Sequence, residues 1–217
     1  VAHAFASPRA DLLRQELTLP TIGIIGAGQI GQAIASTLAR NNIPVTLSNS
    51  RGAQSLAEVV AGIGSSVTAG SREEAAAKEI VFVAVNWSKL RSALAGLDLR
   101  GRIVIDANNS IEAPLFKPAD LHGQTSSEVV AGLLPGARVV KAFNSLLAAT
   151  LASDPGREGG KRVLFYSGDD ADAKAQVGAL IERLGFFGID LGTLAVGSRL
   201  VQFPGGPLPA LNLVKFD

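Results

Sequence analysis

Residues 21–51 read TIGIIGAGQIGQAIASTLARNNIPVTLSNSR, and no other stretch constrains the fold as tightly. Ile22, Ile24 and Ile25 form a short β-branched run ending at Gly26, the signature of a buried parallel strand. Gly26, Gly28 and Gly31 follow with GxGxxG spacing, and Gln32 to Arg40 reads as a helix with Ile30, Ile34 and Leu38 along one face. In such a strand–turn–helix the first glycine permits the tight turn. The second lets the backbone approach a pyrophosphate, and the third lets helix and strand pack closely. The helix N-terminus adds free N–H groups and the positive end of a dipole. With a second strand, Ile43 to Leu47, completing the unit, a dinucleotide site outweighs the alternative of a glycine-rich turn without a ligand.

The end of that second strand selects the dinucleotide. An acid usually stands there to accept hydrogen bonds from a ribose 2′-hydroxyl, but this chain has Ser48, Asn49, Ser50 and Arg51. A carboxylate would repel a 2′-phosphate, whereas Arg51 can pair with one and Ser50 can donate to it. The segment Asn49–Arg51 therefore predicts NADP rather than NAD, against the plainer reading of a solvated loop arginine.

Composition narrows the chemistry. The 217 residues suit one large domain, or a cofactor domain with a small companion, and the 47% apolar content supplies a core. A net charge of +1 gives no case for nucleic acid or an anionic membrane surface. No apolar run is long enough to span a bilayer. The absence of cysteine excludes disulfides and thiolate chemistry, and with only His3 and His122 no metal centre is expected. A cytoplasmic nicotinamide enzyme fits this profile. Residues 1–20 read as an N-terminal extension in which Asp11 to Leu17 would form one or two helical turns.

Further along, Ser55 to Ala61 reads as a helix. Ser65 to Thr68, Ile80 to Val85, Arg102 to Ile105 and Arg138 to Ala142 read as strands. Ser71–Glu74 and Thr125–Glu128 are capping boxes that open helices. This alternation predicts a Rossmann-type, doubly wound, mostly parallel α/β sheet over residues 21–150. Residues 151–217 are expected to add a small C-terminal α/β lobe facing the substrate. It comprises a mobile loop at 153–160, a strand at Arg162–Tyr166, a helix from about Asp170 to Leu184 and a strand at Gly185–Leu191. The turn Pro204–Pro207 and an apolar Leu208–Phe216 complete it. Asp169, Asp170 and Asp172 read as helix N-terminal carboxylates in preference to a metal site.

Ligands of such sheets lie beyond the carboxyl ends of the strands. The nicotinamide seat is placed at Ala84, Val85 and Asn86, with Asn108 offering its amide to the carboxamide; each asparagine reads equally well as a turn former. Hydride transfer between rings needs positioning in a dry site more than a nucleophile or metal, so the lack of an evident triad does not oppose catalysis. Lys141 and Asp106 are the ionisable residues near strand ends, Lys141 more as an ion-pair or phosphate partner than as an acid. Tyr166, the only tyrosine, falls on a predicted strand and gives a carbonyl or imine reductase little to use as a proton donor.

Four segments together carry a family resemblance: IGAGQIG, NSRG after the second strand, VVKAFNSL at 139–146, and the C-terminal GSRLVQFPGGPLPALNLVKF. Over about residues 21–216 the chain resembles the F420-dependent NADP oxidoreductases and their bacterial relatives. The resemblance implies that Gly28, Gln29 and Ile30 line the pyrophosphate turn, Ser50 and Arg51 take the 2′-phosphate, and Ala84 and Val85 border the nicotinamide. It puts Asn144, Gly206, Pro207 and Leu208 on the side of the second substrate, a deazaflavin in archaeal members. Those members carry a histidine in a segment resembling ALHT where this chain has AFNS, and they lack the Pro204–Pro207 turn. The implied activity is hydride transfer between NADPH and a ring-shaped acceptor, F420-like or flavin. Alternatives are a non-catalytic NADP(H)-binding redox sensor or scaffold, and a reductase of a small carbonyl or imine compound. The apolar Leu208, Leu211, Leu213, Val214 and Phe216 fit either packing on a neighbouring helix or a homodimer, and the resemblance favours the dimer.

Overall fold

The computed structural model describes residues 20–112 and 117–216; the helical turns expected at Asp11–Leu17 lie outside them. Short β-branched runs become strands, buried except at the β3 edge: β1 (Ile22–Ile25), β2 (Val45–Ser48), β3 (Val67–Ala69), β4 (Ile80–Val83) and β5 (Ile103–Asp106). A small hairpin, β6 (Ile111–Glu112) with β7 (Lys117–Pro118), stands apart, and β8 (Arg138–Ala142) returns to the sheet. The order β3-β2-β1-β4-β5-β8 is parallel throughout, so the expected doubly wound sheet is present.

Side chains alternate across these strands. Ile22 and Ile24 enter one core with Ile34 and Leu38, whereas Ile25 enters another with Ala75 and Val81. The first core is roofed by α1 (Gln29–Arg40) and α2 (Ala57–Ile63); the second by α3 (Arg72–Ala76), α4 (Leu90–Leu94) and α5 (Ser126–Leu133). Both predicted capping boxes form. Ser71 Oγ accepts from the Glu74 N–H at 3.1 Å while the Glu74 carboxylate accepts from the Ser71 N–H at 2.7 Å. Thr125 and Glu128 repeat the exchange at the start of α5.

After β8 comes α6 (Ala148–Ala152), which lies against α1. The Thr37 hydroxyl of α1 donates to the Leu151 carbonyl at 2.9 Å. The Arg40 guanidinium donates to the Ala152 and Ser153 carbonyls, meeting the negative end of α6 with a cation.

The segment 153–160, expected as a mobile loop, contains a strand. β9 (Gly156–Arg157) pairs with the start of β10 (Gly160–Gly168), because Glu158 and Gly159 adopt positive φ and turn the chain back tightly. β10 is antiparallel to β8, and β11 (Phe187–Asp190) is parallel to β10, so the C-terminal residues extend the same sheet. Between them α7 (Ala171–Arg183) is capped by Asp170, whose carboxylate accepts from the Ala173 N–H at 2.7 Å. Asp172 pairs with Arg138 at 2.7 Å and Asp169 accepts from the Leu194 N–H at 3.0 Å, so all three aspartates have structural partners. The helix α8 (Leu194–Leu200) occupies a stretch that sequence reading assigned to no element; Gly197 lets it settle against Ser167.

β10 is 9 residues long but pairs with β8 only from Tyr166 onward, so Gly160–Phe165 project past the carboxyl end of β8. There β12 (Val214–Lys215) takes over the edge that β8 leaves, and the Val163 N–H donates to the Leu213 carbonyl at 2.9 Å. Residues 210–215 therefore stand above Phe143–Ser145, tied there by an Ala210 N–H to Ser145 carbonyl bond of 2.7 Å.

Gly23 lies where α3 crosses β1, and a Cβ on it would fall 2.0 Å from the Ala75 carbonyl oxygen. Gly23→Ala should cost about 3 kcal/mol in chemical denaturation, since only backbone movement relieves the overlap.

Candidate functional site

The strand order reverses between β1 and β4, which opens a crevice at their carboxyl ends. Two of the fingerprint glycines are fixed by contact. Gly26 has φ +113°, and a Cβ there would meet the Ala84 carbonyl oxygen at 2.1 Å; a Cβ on Gly31 would meet the Gly26 carbonyl oxygen at 1.9 Å. Gly28 differs: a Cβ on it would meet nothing within 4 Å, and its face is open. The turn is held from below by the Gly26 N–H on the Ser48 carbonyl (3.0 Å) and by Gln32 Nε2 on the Ala27 carbonyl (2.8 Å). α1 begins with no side-chain cap and no acid in its first turn, so the exposed Gln29 and half-buried Ile30 flank an uncompensated positive helix end.

At the end of β2, Asn49 is spent on the loop itself. Its Oδ1 accepts from the Arg51 N–H at 2.9 Å, and its Nδ2 donates to Ser55 Oγ at 2.9 Å. Ser50 and Arg51 are exposed, and the Arg51 guanidinium has no ion-pair partner among the described residues. Asn49 thus braces the loop on which Ser50 and Arg51 stand open to solvent.

At the end of β4, Ala84 and Val85 are half-buried beside Gly26, and Asn86 is exposed. Asn108, expected to offer its amide outward, is instead turned inward and 3% exposed. Its Oδ1 accepts from the Val85 N–H at 2.8 Å and its Nδ2 donates to Asp106 Oδ1 at 2.8 Å. The cause is Asp106, which ends β5 two residues earlier and binds both the Asn108 N–H and its side chain.

Asp106 and Lys141 face one another across β5 and β8 at 3.2 Å, both fully buried. Lys141 Nζ also donates to the Asn108 carbonyl and to Ser126 Oγ, while Ser127 Oγ donates to Asp106 Oδ2 at 2.6 Å. Burial pushes the Lys141 ammonium below the usual lysine range, against the opposite pull of Asp106. Ser126 and Ser127 escaped sequence reading; their signal was a pair of hydroxyls directly behind the Thr125 cap, on the turn that meets the sheet.

Beyond β8, Phe143 adopts φ +64° while fully buried, and its ring meets Phe82 edge-on at 5.2 Å. This unfavourable backbone turns Asn144 toward the end of β5. Asn144 Nδ2 donates to Asn109 Oδ1 (2.9 Å) and to the Val201 carbonyl (2.8 Å), which fixes the sense of the amide. Its Oδ1 is then buried without a partner among the described residues. Gly206 closes the end of α8, its N–H on the Gln202 carbonyl at 2.7 Å, and Pro207 is exposed. Leu208 packs with Val163, Phe165 and Val201. Tyr166 lies with Gly178 of α7 against the first core, away from this edge. A shallow concavity bordered by Pro20, Ile43 and Arg183 is at the amino ends of β1 and β4, opposite the glycine turn.

A glycine turn at the switch point of a doubly wound sheet defines a dinucleotide-binding α/β protein. A family model described as NADP oxidoreductase, coenzyme F420-dependent, matches residues 21–110. A hypothetical protein of Sinorhizobium meliloti is 47% identical, with a TM-score of 0.87 over 94% of this chain and 99% of that one. A protein of Arthrobacter sp. FB24, provisionally named an F420-dependent NADP-reductase, is 30% identical with a TM-score of 0.69, over 81% of this chain and 86% of that one. Metalloreductase STEAP3 of Rattus norvegicus is 32% identical over 193 residues, 88% of this chain but 38% of that protein, so the chain spans under two-fifths of its length. The chain belongs to the F420-dependent NADP oxidoreductase family.

Gly28→Ala separates binding from folding. Stability should fall by less than about 1 kcal/mol, because the new methyl group meets no protein atom. NADPH affinity should fall about tenfold or more in a fluorescence titration, because the backbone can no longer approach the pyrophosphate.

Proposed function

We propose that the chain binds NADPH across the β1–β4 switch point and passes its hydride to a ring-shaped acceptor, an F420-like deazaflavin or a flavin, seated beside Asn144. In this reading Gly28, Gln29 and Ile30 hold the pyrophosphate, Ser50 and Arg51 the 2′-phosphate, and Ala84 and Val85 the nicotinamide edge. NADPH supplies the hydride and solvent supplies the one proton that the reduced ring takes up; the residues bind and orient the two rings, which is what hydride transfer between held rings chiefly requires.

The observation that carries the acceptor side is the unpartnered Oδ1 of Asn144. A buried acceptor left without a donor costs roughly 1–3 kcal/mol. An N–H on the rim of a flavin or deazaflavin ring satisfies it once the residues that cover it move aside, whereas a simple carbonyl substrate brings no such donor. The C-terminal residues above Phe143–Ser145 supply the apolar side of the same seat. A homodimer is part of the proposal: Leu147, Leu211 and Phe216 are 67%, 49% and 54% exposed, apolar side chains that a second copy of the chain would cover.

Arg51→Ala should weaken NADPH binding about tenfold or more and leave NADH binding nearly unchanged, as expected for a lost charge-assisted bond to phosphate. Mixing the purified chain with NADPH and each of F420, FMN, FAD and a quinone should give oxidation with a deazaflavin or flavin, slowed in Asn144→Leu. Tight NADPH binding with no oxidation by any of them would instead support a sensor or scaffold. Leu147→Glu with Leu211→Glu should shift the mass seen by light scattering from dimer to monomer.

A further inference from the structure

We propose that Lys141 and Asp106 are positioning residues for the nicotinamide half of the coenzyme, acting through Asn108 on the loop after β4. This rests on the NADPH reading above and gives the buried pair a role within it.

The connection runs through bonds that leave little slack. Lys141 Nζ spends its protons on Asp106 Oδ2, the Asn108 carbonyl and Ser126 Oγ. Asp106 Oδ1 takes both the N–H and the side-chain amide of Asn108, at 3.0 and 2.8 Å. Asn108 is thereby held at its carbonyl, its N–H and its Nδ2, which aims Oδ1 at the Val85 N–H, 2.8 Å away. Val85 in turn stands against the fingerprint turn, its Cγ1 2.9 Å from where a Cβ on Gly26 would lie. A charged pair between β5 and β8 thus sets the loop that borders the nicotinamide, one strand over.

Stability does not account for the pair. Apolar residues of similar volume usually replace a buried ion pair at no cost or with a gain, because two charges must be stripped of water to form it. What an apolar pair lacks is direction: it cannot fix Asn108 in one orientation. A hydride donor needs that fixity, since displacement of a reacting ring by an ångström is costly in rate.

The test compares two probes on three proteins. 2′,5′-ADP reports the adenosine half of the site, and NADPH reports both halves, with the emission of the bound dihydronicotinamide as a signature of its surroundings. Lys141→Met combined with Asp106→Leu removes the pair without leaving a lone charge. Asn108→Leu keeps the pair and cuts only its link to Val85, so the proposal stays testable even where the double variant does not fold. In each variant that folds, 2′,5′-ADP affinity should stay within about twofold of wild type, NADPH affinity should fall about fivefold to tenfold, and the nicotinamide emission should move toward that of free NADPH. Wild-type values for both probes in folded Asn108→Leu would overturn the positioning role alone. A wild-type chain that binds neither probe would overturn the NADPH reading, and the positioning role with it.

Discussion

A methyl group on Gly31 would lie 1.9 Å from the Gly26 carbonyl oxygen, and one on Gly26 would lie 2.1 Å from that of Ala84. At the carboxyl end of β1 the nearest approaches to α1 and to the loop after β4 are therefore backbone against backbone, with the Val85 side chain packed beside them. The remaining arrangement depends on that closeness. It brings the uncapped start of α1, the Ala84–Asn86 loop and the end of β2 to one crevice. It also leaves Gly28 alone of the three fingerprint glycines facing open space.

The two faces of the sheet are built differently. On the α1 side the core is a continuous apolar cluster from Leu47 to Phe186. On the other side, between the ends of β5 and β8 and the start of α5, lies a polar layer of Asp106, Lys141, Ser126 and Ser127. Apolar packing sets distances between layers but tolerates small rotations, whereas directed bonds to ionised groups do not. Both faces thus carry apolar packing, and the face that meets α5 adds directed bonds that orient the strand ends.

Much of this was legible in the residues, for identifiable reasons. Ile22–Ile25, Ile80–Val83 and Ile103–Asp106 are too short and too apolar to be anything but buried strands, and Ser71–Glu74 and Thr125–Glu128 carry their caps in full view. β9 was hidden because Gly156–Gly160 has loop composition, and only pairing with β10 reveals its strand character. α8 was hidden because Leu194–Leu200 is short and contains Gly197, whose value lies in contact with Ser167. The inward turn of Asn108 was beyond the sequence for a similar reason. Its type suits a ligand and a buried brace equally, and the choice is made by Asp106 and Val85, which the fold brings to it.

α1 bears the glycine turn at one end and is fastened to α6 at the other, through Thr37 and Arg40. α6 begins three residues after Ser145, on the same loop as Asn144. The crevice and the Asn144 loop are thus joined twice, once across the tops of the strands and once through a helical strut behind them. In engineering terms the frame is triangulated. A displacement of α1 along its axis would therefore also displace α6, which Thr37 and Arg40 tie to it.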